Sequence, residues 1–148
     1  MTEKTDTARQ ARMGLVAKAP PARLAALMAG VEAPGFDWLR APEVGGVMVR
    51  GRMGGTGAPF NLGEMTVTRC ALRLATGEVG HGYVQGRDKA HAERAALVDA
   101  LMQTDRAEAL RALVLDPLAK AAMSEKATRA AKAAATKVDF FTMVRGED

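Results

Sequence analysis

Residues 79–102 read VGHGYVQGRDKAHAERAALVDALM and predict a β-strand that turns directly into an α-helix. The strand covers about residues 79–85, where Gly80 and Gly82 are typical of a bulge or of a close approach by another part of the backbone. Asp88 is a favourable helix N-cap because its carboxylate accepts hydrogen bonds from the free N–H groups of the first turn. The buried side of this helix is expected to consist of Ala90, Leu97, Val98, Leu101 and Met102.

Two further strands are predicted upstream of this unit. Residues 47–53 alternate between two sets of side chains, as a half-buried strand does, and residues 63–74 form the next strand. The glycine-rich stretch 54–59 interrupts the pairing between them. A tight reversal at 75–78 then leads into the strand 79–85, so the three strands are expected to form an antiparallel sheet.

The residues before the sheet are predicted to be helical and then irregular. Residues 5–18 and 22–30 have helical patterns, and two adjacent prolines separate them, which predicts a helical hairpin. Prolines and glycines in residues 34–46 indicate a loop, or a short strand anchored by Trp38. The side of the first helix that faces the core is expected to carry Ala8, Ala11, Leu15 and Ala19.

The last third of the chain predicts two more helices and a final strand. One helix is capped by Thr104 or Asp105, and a long alanine-rich helix covers about residues 117–136. Alanine favours helix formation but buries little area, so the long helix needs a neighbour. Residues 138–144 are β-prone and apolar on both faces, and they predict a strand that pairs in the chain's own sheet or with another subunit.

The predicted fold class is therefore α+β, with an antiparallel β-sheet of about three to four strands packed with helices. At 148 residues, the chain fits a single domain, 1–148, that can bury a core without metal or disulfide crosslinks. Its expected parts are the helical hairpin 1–31, the sheet 44–86, the helices 88–136 and the terminal strand 138–144.

Composition limits the function classes. The 21 basic and 17 acidic residues give a net charge of +4, and the positive excess falls on residues 1–30 and 46–74, where it favours phosphates or an acidic partner. An aromatic content of 4% and the lack of a dense basic run argue against nucleic-acid binding. The single Cys70 cannot form an internal disulfide, and no stretch has the pattern of a signal peptide or a membrane span. A cytoplasmic protein is expected.

The turn at Gly54 and Gly55 allows two interpretations. Bare glycines let main-chain N–H groups approach an anion, but the Lys and the Ser or Thr that a P-loop needs after its second glycine are missing. The turn is therefore either a plain reversal or a contact surface for a ligand or partner. Arg52, just before the turn, is a further candidate for such a contact.

Four arginines at even spacings also indicate anion binding. If the two predicted strands pair suitably, their guanidinium groups gather on one face, where the planar fork of arginine matches phosphate oxygens. The alternative is a solvated sheet face with scattered charges. The four residues are Arg50, Arg52, Arg69 and Arg73.

The two histidines give only weak support to a metal-binding site. His91 and Glu93 have the spacing of half a zinc-deaminase site, but that site needs a downstream Pro-Cys-x-x-Cys, and the only cysteine lies upstream. His81 and His91 have no third ligand at a metal-like spacing, so no metal site is expected. His91 is interpreted as a helix-surface histidine, with a contribution to a shared active site as the alternative.

Arg87 and Lys89 flank the N-cap Asp88. The partial positive charge at a helix N-terminus repels cations unless an anion or an acidic partner compensates. This mismatch makes Arg87 and Lys89, together with His91, candidates for anion or partner binding. The sequence identifies no catalytic residue.

Three segments resemble the PhnG family, a small subunit of the bacterial phosphonate carbon-phosphorus lyase system. They are RMGGTG at 52–57, YVQGRDKAHAERAALVDALM at 83–102 and VDFFTMVRG at 138–146. The similarity covers nearly the whole chain in order, whereas the first helical hairpin and the alanine-rich helix are generic.

The resemblance implies a subunit of a multi-subunit core complex that processes alkylphosphonates. With companion subunits, such a protein transfers the ribose triphosphate of ATP to methylphosphonate and releases adenine, as a ribose 1-methylphosphonate 5-triphosphate synthase. ATP and the phosphonate are thus substrates of the complex, no cofactor is expected on this chain alone, and an iron-sulfur cluster is implied only on a separate subunit. The resemblance assigns no catalytic residue to this chain.

Two alternatives stay open at the level of sequence. A purely structural scaffold subunit would have no residue near the substrate. A free-standing module that binds an anion or a nucleotide would be a monomer that binds ATP by itself.

Overall fold

The computed structural model describes residues 2–138, with side-chain positions from residue 7 onwards. It confirms the α+β class and the three antiparallel strands, whose order in the sheet follows the chain. The strands are β1 (Phe36–Arg52), β2 (Pro59–Leu74) and β3 (Val79–Gln85). The helices are α1 (Thr2–Lys18), α2 (Pro21–Met28), α3 (Lys89–Leu101), α4 (Ala107–Leu110) and α5 (Asp116–Ala135). Apart from Val138, the predicted terminal strand 138–144 lies outside the described residues.

The core is built where α3 crosses β3. The glycines Gly80 and Gly82 let the helix backbone come so close that a Cβ added to either would collide with a helix carbonyl oxygen, that of Ala96 or Ala92 respectively. Both of those alanines are fully buried. Of the two alternatives that the sequence allows, a bulge or a close approach, the structure shows the close approach of helix to strand.

The helix α3 is the centre of the fold. It is buried along nearly its whole length, and it packs against β2 and β3 on one side and against α1 and α2 on the others. The two N-terminal helices, α1 and α2, therefore both pack on α3. Leucine, valine, alanine and methionine fill the core, whose largest fully buried apolar side chains are Leu24, Leu72, Leu101, Val16, Val84, Val98 and Val114.

A polar network closes part of the free edge of β3. The buried carboxylate of Asp99 accepts hydrogen bonds from Arg9 at 2.9 and 2.7 Å and from the main-chain N–H of His81 at 3.0 Å. Arg9 also donates to the carbonyl oxygen of Val79 at 3.1 Å, and Gln103 donates to the same oxygen at 2.8 Å. Main-chain groups at a sheet edge otherwise stay open to another strand, so this network both protects the edge and fixes α1 to the sheet.

The strands β1 and β2 extend far beyond β3. β3 pairs with residues 67–73 of β2 only, whereas β1 continues to pair with β2 as far as Arg52 and Pro59. Residues 46–66 therefore form a two-stranded arm that projects from the three-stranded sheet. No side chain in this arm is buried.

The structure differs from the sequence-based expectations in the bounds of some elements and in the core residues of α1 and α3, where Ala90, expected to be buried, is exposed. Residues 36–46, expected as a loop or a short strand, belong to the long strand β1, and register shifts near Arg40 and Glu43 explain why their alternation is lost. In α1, Ala8 and Ala11 are exposed and Val16 is buried instead, so the expected core stripe is shifted. One turn of π-helix, Arg111–Leu115, joins α4 to α5 without a break.

The close approach of α3 to β3 predicts that Gly80→Ala and Gly82→Ala each destabilise the protein by about 1–3 kcal/mol, because the added methyl group must push the helix away from the sheet. Urea denaturation of the purified chain measures this change. Gly63→Ala, in the exposed part of β2 where an added Cβ meets nothing within 4 Å, is the matched control. Equal effects of all three substitutions would contradict the prediction.

Removal of the Asp99 carboxylate tests the edge network. Asp99→Ala leaves Arg9 and the N–H of His81 without their partner, and we expect a loss of about 2–4 kcal/mol in the free energy of unfolding. Glu43→Ala, which breaks an exposed pair with Arg40 and Arg69, should change stability little. Thermal unfolding of both variants gives the comparison, and a small effect of Asp99→Ala would show that the network is dispensable.

Candidate functional site

The candidate residues lie at two separate places in the structure. Arg52, Gly54 and Gly55 are at the tip of the arm, whereas Arg87, Lys89 and His91 are at the start of α3. The last residue of β3, Gln85, pairs with Val67 of β2, which pairs with Gly45 of β1, and Arg52 lies seven positions further along β1 than Gly45. At the usual rise of a strand this is roughly 23 Å. The two groups therefore do not form one site within this chain.

Gly54 and Gly55 form the turn at the tip of the arm. Their φ angles of 60° and 82° lie in the left-handed region, which only glycine adopts at little cost. The N–H of Gly57 donates to the carbonyl oxygen of Met53 at 2.8 Å, and Arg52 donates to the carbonyl oxygen of Gly57 at 3.2 Å. The glycines are thus needed for the reversal itself, and Arg52 helps to hold it.

The four arginines do not share a face. Arg69 and Arg73 lie on the sheet face away from α3, and Arg69 pairs with Glu43 at 2.6 Å. Since side chains alternate along β1, Arg50 and Arg52 point to the face opposite Glu43. The structure therefore provides no single arginine platform.

Glu43 forms ion pairs with Arg40 and Arg69 on the sheet face away from α3. Hydrogen bonds from Arg40 and then from Arg69 lower the pKa of its carboxyl group below the ordinary value. The carboxylate thus neutralises positive charge on this face, which leaves Arg69 less available for an external anion.

The strand-to-helix turn before α3 is held by several hydrogen bonds. Asp88 is the N-cap, as predicted, and accepts from the main-chain N–H of His91 at 2.9 Å. The buried Thr68 donates to the carbonyl oxygen of Gly86 at 2.7 Å. Arg87 and Lys89 are exposed on either side of this cap and make no hydrogen bond or ion pair with the part of the chain that the structure describes. Their charges are available to an external group.

His91 has a different environment from the one expected. Its side chain is only 4% exposed, and its Nε2 lies 3.0 Å from the carbonyl oxygen of Val16, in the last turn of α1. A carbonyl oxygen only accepts, so Nε2 carries the proton. The histidine is therefore a buried connection between α1 and α3 rather than a surface residue, and nothing in the local sequence indicates that α1 lies over it.

The remaining reactive group is the Cys70 thiol, and the possible metal ligands can also be located. Burial raises the pKa of the Cys70 thiol to about 11, so the thiol stays protonated at neutral pH. Among residues 2–138, no group of three or more His, Cys, Asp or Glu side chains is arranged to hold a metal ion. No helix in the same range is long and apolar enough to cross a membrane.

Two cavities accompany α1. One of about 300 Å³ lies between α1, α3 and the edge of β3, with mostly apolar walls that include Met13 and Val98. The other, of about 620 Å³, lies between α1 and the first half of α5. None of the candidate residues lines either cavity, so both arginine-bearing places are open surfaces.

The sequence reasoning missed the exposed apolar residues of the arm. Met48, Phe60 and Leu62 are all exposed, and so is Met53 at the tip. The alternation in residues 47–53 indicates a strand with one buried face, but the sequence does not show that β3 is too short to support it. The sequence does contain one indication of an unsupported arm, because the predicted second strand, 63–74, is longer than the predicted third strand, 79–85.

The family model described as "Phosphonate metabolism protein PhnG" matches residues 7–146, which include both candidate places. A protein of Rhizobium meliloti (strain 1021), named alpha-D-ribose 1-methylphosphonate 5-triphosphate synthase subunit PhnG, is 54% identical over 110 residues, or 74% of this chain and 70% of the relative. The resemblance seen in the sequence is confirmed: the chain belongs to the PhnG family of phosphonate metabolism proteins.

Proposed function

We propose that the chain is a subunit of a cytoplasmic ribose 1-methylphosphonate 5-triphosphate synthase. With companion subunits, it acts in the transfer of the ribose triphosphate of ATP to methylphosphonate, with release of adenine. The observation that carries this proposal is the 54% identity to the Rhizobium meliloti relative that bears the name of such a subunit.

The environments of the titratable groups support a shared active site. Asp88 caps α3, His91 is bonded to the main chain of α1, and Cys70 is a buried neutral thiol. Each of these three groups is thus engaged in the fold, and none of them is free to give a proton to the leaving adenine. Displacement of adenine also needs preorganised positive charge near the triphosphate oxygens.

Arg87 and Lys89 are the residues of this chain that fit that second requirement. Both are exposed, and they stand beside the N-terminus of α3, whose free N–H groups also favour negative charge. Asp88, between them, is turned into the cap and does not pair with either. We therefore assign to Arg87 and Lys89 the contact of this subunit with phosphate oxygens of ATP or of the product.

Genetic and biochemical complementation tests the overall function. A strain of the native host that lacks this chain should lose growth on methylphosphonate as the sole phosphorus source and regain it when the chain is restored. The purified complex should release adenine from ATP in the presence of methylphosphonate, and the complex without this chain should not. Growth without the chain, or adenine release at the same rate, would contradict the proposal.

Charge reversal tests the assignment of Arg87 and Lys89. We expect Arg87→Glu with Lys89→Glu to reduce kcat/KM for ATP in the assembled complex by at least about tenfold, because two attractive charges become repulsive. Arg129→Glu with Lys132→Glu on the exposed part of α5 is the control with the same change in charge. Assembly is checked by size-exclusion chromatography.

The same variants separate the alternatives. If turnover in the assembled complex survives the reversal of Arg87 and Lys89, the chain acts as a scaffold at this surface. If the isolated chain binds ATP in a calorimeter with the affinity of the complex, it is a free-standing nucleotide-binding module instead.

A further inference from the structure

The arm formed by residues 46–66 leaves large apolar side chains in solvent. The exposed fractions are 59% for Met48, 70% for Met53, 41% for Phe60 and 66% for Leu62. A two-stranded hairpin without a covering layer is only marginally stable in water. Clustered exposed apolar side chains on a folded protein mark a surface that binds another molecule.

The two faces of the arm have different chemistry. An ideal Cβ on Gly51 would lie 3.6 Å from the ring of Phe60 and 3.9 Å from Cβ of Leu62, so both side chains cover the face of Gly51. Alternation along β1 places Arg50 and Arg52 on the opposite face. Toward the tip, one face is therefore apolar and the other carries the two arginines, while nearer the base Met48 and Glu64 share the arginine face. An arm with two different faces suits insertion into a cleft better than contact with one flat surface.

The charge of the arm defines its partner. The arm has three charged side chains: Arg50 and Arg52 toward the tip, and the acidic Glu64 nearer the base, which gives a net charge of +1. Both arginines are exposed, and in the described structure Arg52 donates only to a main-chain oxygen of its own turn, while Arg50 has no partner. Unpaired guanidinium groups on an apolar arm call for carboxylates on the surface that receives it.

We infer that the arm inserts into a cleft of a companion subunit that has an acidic wall facing Arg50 and Arg52 and an apolar wall facing Phe60 and Leu62. This inference rests on the proposed function, since it needs a companion subunit. It gives the tip residues Arg52, Gly54 and Gly55 a role in assembly, distinct from the role of Arg87 and Lys89 in anion binding.

A second copy of the same chain is a poorer occupant. In a symmetric dimer through the arm, the same patch lies on both sides of the interface, so the Arg50 and Arg52 pairs of the two copies would face each other. The one acidic side chain of the arm, Glu64, lies nearer the base and can offset only one of the two arginines in each copy. Like charges brought together in this way oppose association.

Co-purification tests the inference with the complete chain. Tagged wild-type chain is co-expressed with the other synthase subunits of the same host, and the recovered subunits are quantified by mass spectrometry. We expect Arg50→Glu with Arg52→Glu to lower the recovery of a companion subunit at least about tenfold. The control, Arg23→Glu with Arg73→Glu, reverses two exposed arginines away from the arm and should leave recovery unchanged.

A chemical crosslink tests the acidic wall and avoids the risk that charge reversal harms folding. The arm has no lysine. Arg50→Lys with Arg52→Lys keeps the charge and adds amines that a carbodiimide joins to carboxylates in direct contact. We expect a crosslink from residue 50 or 52 to an Asp or Glu of a companion subunit in the assembled complex, and none from residues 50 and 52 of the wild-type chain.

The outcomes separate this inference from the proposed function. If wild-type chain recovers the companions and the arm variants do so equally, without a crosslink to their carboxylates, the inference about the arm is wrong and the proposed function stands. If wild-type chain recovers no synthase subunit, both fail. A crosslink only between copies of this chain would show that the arm binds a second copy and would overturn the assignment.

Discussion

The contact between α3 and β3 is the constraint on which the rest of the structure depends. Gly80 and Gly82 remove the side chains that would keep the helix at the usual distance, and the small buried Ala92 and Ala96 complete the contact. Helix and strand backbones therefore lie against each other with almost nothing between them. Because α1 and α2 pack on the far sides of the same helix, the position of α3 also sets theirs.

Much of this fold follows from the sequence because its signals are local. The cap at Asp88 and the glycine-rich reversal at Gly54 act within a few residues of their own position, and the two glycines of β3 contact the helix that directly follows their strand. The start of β1 is not predictable in this way, since register shifts near Arg40 and Glu43 break the alternation by which a strand is recognised. The length of the arm depends on how far β3 continues, which is a property of two strands together.

The candidate residues show the same division between local and long-range information. Arg87 and Lys89 were singled out by their charge beside a helix N-terminus, and they are exposed beside that helix. His91 was read as a surface residue because the distant α1 that covers it leaves no mark in its own segment. The four arginines were grouped by spacing, but the faces that they occupy depend on the register between strands.

The hydrogen bonds made by Asp99, Arg9 and Gln103 have a consequence for how the sheet can grow. They occupy the outward main-chain groups at Val79 and His81, so that side of the sheet is closed at its start. In the described structure the longest open border is that of β1, which runs for 17 residues from Phe36 to Arg52, and a shorter one is left along β2 in the arm, where β3 no longer pairs with it. A strand contributed by a neighbouring polypeptide can therefore add to the sheet along β1 or beside the arm, but not at the start of β3.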